Sequence, residues 1–427
     1  MGHPDAAYGR SAVSALVSGS SGIKTGVAES AIAGEKLIEY ICDYPHLVQV
    51  CKEIRNVKWL AVDTEFVWTK TYFPLLGIIQ IAAEDRVFII DYPAIDTWDV
   101  LRDIFADESV TKIFHDASQD VAIINYHLKV QTAGVFDTQL GAAMTGESES
   151  LSLEKLVYKY EGIRLSKTQT RTDWLARPLK EAQLHYAADD VRYLVSITQK
   201  IIAEAQKRGT REWLFSEMEK FNTCNLFSYE NNVQRQFMKN ANRVPPRFRD
   251  RLYRLICFIE STARKNNLSR TRVIRKQIIP GLIRSNPVTI SDLSHKTGLS
   301  AKAADLYGRD IINYLSDENL CVPGEIAKSL SEGGAKNHEQ KTLTAALFVF
   351  IESRAAKFGI AMNIVCSKSG CAKMVLNYFE TGVIPAFGGW RGTLLNASVE
   401  KFFSGRAGIT YLDKKGFDII SKRSDDV

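Results

Sequence analysis

The sequence has no apolar run long enough to cross a bilayer, so no transmembrane helix is expected. Its seven cysteines are scattered and form no CxxC pair. An odd, unpatterned set argues against a disulfide framework and a zinc site. It points to free thiols in a reducing, cytoplasmic compartment. Net charge is only +6 over 427 residues, so any nucleic-acid-binding surface must come from the distribution of charge rather than its total. Residues 1–35 are poor in large apolar side chains and rich in Ser, Gly and Ala, and read as a disordered extension. They have no uninterrupted apolar core of a secretory signal, and Asp5, Glu29 and Glu35 count against an organellar transit peptide. Ala6 stands where a myristoylation signal needs Ser or Thr. Nothing in the sequence calls for an obligate protein partner.

What is present is an ordinary globular composition, 45% hydrophobic and 24% charged, on a chain too long for one core. From Lys36 the pattern becomes globular. Leu37–Ile41 reads as a short strand or a helix start, and 45–55 as a helix with Leu47, Val48 and Cys51 on one face. The segment 59–66 is an apolar strand. Two more strands, 77–83 and 86–91, meet at Glu84-Asp85, which predicts an antiparallel meander. The pattern then alternates: helix 98–105, strand 111–114, helix 117–127, strand 135–136, helix 137–144. Alternation of this kind predicts parallel strands with helical crossovers, and so a mixed α/β sheet. A helix over 152–160, a basic loop over 161–179 and one long helix over 179–208 complete this part. Beyond 210 strand signals fade. Two helical blocks are expected, with a linker at Ser331-Glu332-Gly333-Gly334. The expected division is 1–35, 36–210, 211–330 and 331–427.

The first strand carries the most informative chemistry. In Val62-Asp63-Thr64-Glu65-Phe66, side chains two apart share a face, so Asp63 and Glu65 project together. Two adjacent carboxylates repel unless a cation lies between them. In His115-Asp116-Ala117-Ser118-Gln119-Asp120, a strand end meets a helix start and sets Asp120 near the C-terminal edge of the sheet. Asp116 reads as a possible helix cap. In Tyr186-Ala187-Ala188-Asp189-Asp190, Tyr186 and Asp190 are four apart and share one helix face, while Asp189 points away. Asp63, Glu65, Asp120 and Asp190 are hard oxygen donors, suited to Mg²⁺ or Mn²⁺. Two such ions can clamp the attacking and leaving oxygens of a phosphodiester. Tyr186 is then a candidate to orient the attacking water, since a phenol with a pKa of about 10 is a poor base at neutral pH. Asp137 reads as a cap, and His115 and His185 as packed or exposed neutral residues. Arg171, Trp174 and Arg177 have two readings: they hold phosphate and stack a base, or they brace the loop against the core.

These motifs, in this order, resemble the ribonuclease D family of the DEDD 3′-to-5′ exonuclease superfamily, in its tyrosine form. Asp63-Thr64-Glu65-Phe66 matches the first motif, Asp120 the second, and Tyr186 with Asp190 the third. Thr71-Tyr72-Phe73-Pro74 through Gln80 and Arg171-Thr172-Asp173-Trp174 through Leu179 continue the likeness. The resemblance implies an RNase H-like mixed sheet. It implies hydrolysis of RNA from the 3′ end with divalent metal, release of 5′-mononucleotides, and trimming of tRNA precursors and other small structured RNAs. Residues 247–322 resemble the helicase-and-RNase-D C-terminal (HRDC) module through Leu252-Tyr253-Arg254-Leu255, Ser291-Asp292-Leu293 and Tyr307-Gly308-Arg309-Asp310-Ile311. Residues 339–415 resemble a second, divergent copy, through Phe350 to Ala355 and Gly389-Trp390-Arg391. The expected class is therefore α/β, an RNase H-like exonuclease domain followed by two all-α HRDC-type domains. Between Arg243 and Arg284 there are twelve Lys or Arg against Asp250 and Glu260, a basic segment suited to phosphate contacts. Two rivals share these features: a repair or proofreading exonuclease acting on DNA, and an RNA-binding scaffold without activity.

Overall fold

The computed structural model describes residues 37–165, 172–223, 225–331, 337–412 and 416–421. The extension 1–35, Arg171 and most of the expected linker at 331–334 lie outside them.

Six strands form one sheet: β1 (Leu37–Ile41), β2 (Trp59–Val67), β3 (Leu75–Ala83), β4 (Arg86–Asp91), β5 (Thr111–Phe114) and β6 (Val135–Asp137), in the order β1-β4-β3-β2-β5-β6. β2, β3 and β4 are the expected meander. Ala83 and Arg86 pair across the turn at Glu84-Asp85, with Glu84 at φ 51. β5 and β6 add in parallel on the other side of β2, and β1 runs parallel to β4 at the far edge. β3 is the most apolar strand, buried from Leu76 to Ala83. That is the signature of a strand covered on both faces. Gln80 is its one polar side chain. The β2–β3 register slips between Glu65 and Phe66. A bulge there bends β2 directly beyond its two acids.

Helices cover both faces. Tyr44–Ile54 buries Leu47, Val50, Cys51 and Ile54, so Val50 and Ile54 replace Val48 in the expected stripe. Asp99–Ala106 and Ala117–Leu128 make the crossovers into β5 and β6. The single long helix expected over 179–208 is two helices, Glu181–Arg192 and Leu194–Lys207, separated at Tyr193 (φ −103°, ψ −11°). The break has a packing cause. The first helix lies across β2, β3 and β4, whereas the second turns to pack on β2, β5 and the helices Thr138–Ala143 and Leu153–Glu161. One straight rod could not bury an apolar face on both surfaces.

Beyond residue 210 the chain is largely helical. The helix Arg249–Lys265 is central to the first cluster, which includes Tyr229–Ala241, Ile279–Ser285, Ile290–Thr297 and Ala301–Ser316. The helix His338–Lys357 is central to the second, with Lys368–Thr381 and Gly389–Phe403. One expectation fails here. Ala407–Leu412 and Gly416–Ser421 form an antiparallel hairpin, β7 and β8, against the helix His338–Lys357. Lys357 pairs with Asp418 at 2.7 Å. The apolar–polar alternation in Ile409-Thr410-Tyr411 and Phe417-Asp418-Ile419 carried that signal.

The second cluster is fastened to the sheet-bearing part through the helix Arg211–Met218. Trp213 stacks on Trp390 at 5.5 Å and 19°. Glu217 accepts from Trp390 Nε1 at 2.9 Å and pairs with Arg391. Ala361 N donates to Ala143 O at 2.7 Å.

Candidate active site

The two acids of β2 are the floor of the site. Asp63 and Glu65 alternate with buried Val62 and Thr64, so the pleat sends the carboxylates to one face. The helix Glu181–Arg192 crosses that face and presents Asp190 to them. Asp63, Glu65 and Asp190 each offer a carboxylate oxygen, all within 4.8 Å of one another. Asp120 comes from the first turn of the helix Ala117–Leu128. It is buried, and its Oδ1 accepts from the Thr64 hydroxyl on the opposite side of β2. Its charge still reaches Asp63, Glu65 and Asp190. The strand is thus flanked by acids from two helices.

The electrostatics are those of a cation site. Burial, then the charges of Asp120, Asp190 and Glu65, push Asp63 well above the usual carboxylate range. Burial and the charges of Asp190 and Asp120 raise Glu65 to about 9. Burial raises Asp120 to about 7 against the lowering effect of the Thr64 hydroxyl. Asp190 also rises to about 7, by burial and by Asp189, while a hydrogen bond from Tyr186 lowers it. Four carboxyls that hold protons this tightly are four groups that a divalent cation would relieve. The donor set is all oxygen and closely spaced, so a divalent metal fits these residues.

The neighbouring residues separate into supports. Tyr186, four residues before Asp190, hydrogen-bonds it. Asp189 turns aside and pairs with Arg192 at 3.6 Å. Asp137 is a cap, as expected: it accepts from Gln139 N at 2.8 Å, Asp116 N at 3.1 Å and Ala117 N at 3.2 Å. Asp116 is not the cap that the sequence suggested; it sits at the N-cap position with φ 63° and makes no side-chain cap bond. Burial drives His115 down to about 4, so it is neutral, with Nδ1 3.0 Å from Thr138 Oγ1. His185 is half exposed beside Glu181.

Trp174 is 2% exposed, its ring 6.2 Å from that of Tyr186, and has no open face for a base. Arg177 clamps Asp91 at 2.6 and 2.7 Å and donates to Gly77 O and Trp174 O. Of the two readings of this segment, burial and pairing support the brace for both residues. Gly77 makes the brace possible: a Cβ there would lie 2.5 Å from Trp174 O.

One residue of the site escaped the sequence reading. Gln80 on β3 pairs directly with Asp63 and is fully buried. Both polar atoms of its amide have no hydrogen-bond partner among the described residues. Its signal in the sequence was a lone polar residue in an apolar strand.

This geometry can be set beside known proteins. A family model described as a 3′-5′ exonuclease matches residues 38–206. Ribonuclease D of Desulfotalea psychrophila is 34% identical over 267 residues, which cover 62% of this chain and 71% of that protein. The chain belongs to the ribonuclease D family. Ribonuclease D of Serratia proteamaculans is 28% identical over 84% of this chain and 97% of its own length. The crystal structure of Escherichia coli RNase D, described as an exoribonuclease involved in structured RNA processing, matches with a TM-score of 0.72 at 26% identity. It covers 86% of this chain and 99% of that one. As a member of this family the protein is a 3′-to-5′ exoribonuclease, and the fold implies use of divalent metal. The mixed sheet followed by a largely helical region is the architecture expected from the sequence. No helix among the described residues is long and apolar enough to cross a membrane.

Proposed function

We propose that this exoribonuclease trims the 3′ ends of tRNA precursors and other small structured RNAs, releasing 5′-mononucleotides, with two Mg²⁺ ions held by Asp63, Glu65, Asp120 and Asp190. The observation that carries the reading is the set of three carboxylate oxygens within 4.8 Å on Asp63, Glu65 and Asp190, with Asp120 close enough to raise their pKa values. When bound, the ions would supply Lewis acidity at the scissile phosphate and lower the pKa of the attacking water. The chain's own groups do the rest. Asp63 and Glu65 are fixed by a strand in the middle of the sheet. Thr64 fixes the rotamer of Asp120. The Tyr186 hydroxyl, beside Asp190 and backed by Trp174, orients the water. Mn²⁺ would fit the same oxygen donors.

The same reading divides the chain into an exonuclease domain over 36–210 and two HRDC-type domains over 211–330 and 331–427, acting in the cytoplasm. The basic segment supports an RNA-facing role: Arg272, Arg275 and Lys276 are exposed, whereas Arg254 and Arg264 bind backbone carbonyls.

The test is Asp63→Asn on an end-labelled tRNA precursor with Mg²⁺, beside wild type with and without EDTA. The expected result is loss of 3′ trimming in the variant and in EDTA. Trimming at the wild-type rate by the variant would remove Asp63 from the catalytic set, and activity in EDTA would refute the metal mechanism. Faster hydrolysis of a matched DNA oligonucleotide than of RNA would favour the repair-exonuclease rival.

A further inference from the structure

The chain between β2 and β3, residues 68–74, starts three residues beyond Glu65 and is gripped by the helix Arg249–Lys265 and the turn after it. Asn267 adopts φ 47°, a conformation asparagine tolerates. Its Oδ1 accepts from both Tyr72 N at 3.1 Å and Phe73 N at 3.0 Å. Ser269 N donates to Lys70 O at 3.0 Å. The Tyr72 hydroxyl donates to Glu260 Oε2 at 2.9 Å and accepts from Asn232 Nδ2 at 3.2 Å. Glu260 is fully buried and also pairs with Arg270, whose guanidinium covers the Tyr72 ring at 4.8 Å. Arg264 lies 5.4 Å over Phe73. A buried charge, two rings and the backbone on both sides of Thr71 are therefore committed to fixing the shape of one loop, buried over Tyr72, Phe73 and Pro74 and exposed over residues 68–70.

That loop carries Trp68. Its indole Nε1 donates to Tyr72 O at 3.0 Å, and its ring meets Phe227 edge to face at 5.9 Å. Even so, Trp68 remains 40% exposed. It lies within roughly 10 Å of Glu65 along an extended chain. Exposed Lys70 is two residues away, and exposed Arg272, Arg275 and Lys276 follow the clamping Arg270. A partly exposed indole three residues from Glu65, on a loop that carries exposed Lys70 and is bonded to the start of the basic segment 269–276, has the composition of a single-strand stacking platform. Tyr411 and Phe417, also half-exposed, lie on the C-terminal hairpin, and Tyr158 lies on the helix Leu153–Glu161; of the exposed aromatics among the described residues, Trp68 is the nearest in the chain to Glu65.

We infer that Trp68 is a base-stacking subsite for the single-stranded 3′ region of the RNA, held in register with the carboxylates by the Tyr72–Glu260–Arg270 clamp. The inference rests on the exoribonuclease reading and adds a specificity residue to it. It also gives the helical region a role in shaping the site besides supplying positive charge.

The test is steady-state hydrolysis of a short oligoadenylate and of equal-length oligonucleotides with one abasic residue moved stepwise from the 3′ end. Wild type, Trp68→Phe, Trp68→Ala and Asn267→Ala are compared. Trp68→Ala should raise KM for the intact oligonucleotide about tenfold. Its kcat should stay near that of wild type, and Trp68→Phe should recover most of the affinity. With the abasic residue at one particular position, wild type and Trp68→Ala should show the same KM, because the base that stacks is gone. Asn267→Ala should reproduce the rise in KM by releasing the loop. An equal KM for Trp68→Ala and wild type on the intact oligonucleotide would overturn the inference. So would a rise of the same factor at every abasic position, which marks a ring that only supports the loop. A wild-type protein that leaves the oligoadenylate intact would instead sink the exoribonuclease reading itself.

Discussion

Asp120→Asn in the metal-free protein should be stabilising at neutral to alkaline pH, although it removes a proposed metal ligand. Asparagine keeps the shape of the side chain and still accepts from the Thr64 hydroxyl, so the change is confined to charge. In the folded chain Asp120 titrates at about 7, against 3.8 unperturbed. A folded-state value above the unfolded one means that the native chain holds the proton more tightly. The associated stabilisation is full below about pH 3.8 and is lost as the pH rises through about 7. At 1.36 kcal/mol per unit the whole effect is about 4 kcal/mol, of which about 3 kcal/mol falls between pH 5 and 8. Asp63, Glu65 and Asp190 are shifted in the same direction and add to the slope. Removing the Asp120 charge also relieves the other three. The assay is urea unfolding in EDTA, followed by circular dichroism at pH 5 and pH 8. Wild type should lose several kcal/mol between the two, and Asp120→Asn measurably less. Mg²⁺ at pH 8 should then stabilise wild type more than the variant. A variant whose stability falls as steeply as that of wild type would refute the account of the site as a set of mutually repelling buried acids.

Other perturbations follow from the same contacts. Gly77→Ala places a Cβ 2.5 Å from Trp174 O and 3.1 Å from Glu65 O, both backbone atoms, and should cost about 1–3 kcal/mol with a loss of kcat; an unchanged melting temperature and rate would show that the 172–178 brace is not packed on β3 in this way. Arg270→Ala leaves Glu260 buried beside Tyr72 without its cation and should destabilise by about 3–5 kcal/mol in thermal or urea unfolding; a change below about 1 kcal/mol would mean that the pair is exposed in solution. Gln80→Met removes an amide without a partner among the described residues and should raise metal-free stability by about 1–3 kcal/mol. A fall in the unfolding midpoint would show instead that the amide is satisfied.

How far the sequence could be read depended on the range of each signal. The order of strands in the meander and the crossovers was legible because it rests on local periodicity and short turns. The break at Tyr193 was not. Its neighbours, Val191-Arg192 and Leu194-Val195, are all compatible with one helix, and only the change of packing surface between β2–β4 and β5 sets it. The hairpin β7–β8 was missed because its alternation is short and follows a long helical stretch. The four acids and Tyr186 were legible as candidates from spacing alone. The alternatives for Trp174 and Arg177 could not be separated without burial, because their partners Tyr186 and Asp91 are distant in sequence.

The sequence by itself determined which groups are available: two carboxylates on one face of a strand, one at a helix start, and a tyrosine and an aspartate on one helix face. Spacing fixes the direction of each side chain within its own element, and that much is local physics. The tertiary structure alone decided that these elements converge, that Thr64 anchors Asp120 across β2, and that Gln80 stands opposite Asp63. It also brought Glu260, 188 residues from Tyr72, beneath the loop beside the acids. Contacts at such separation depend on how the whole sheet and its helices pack, and no local pattern encodes them.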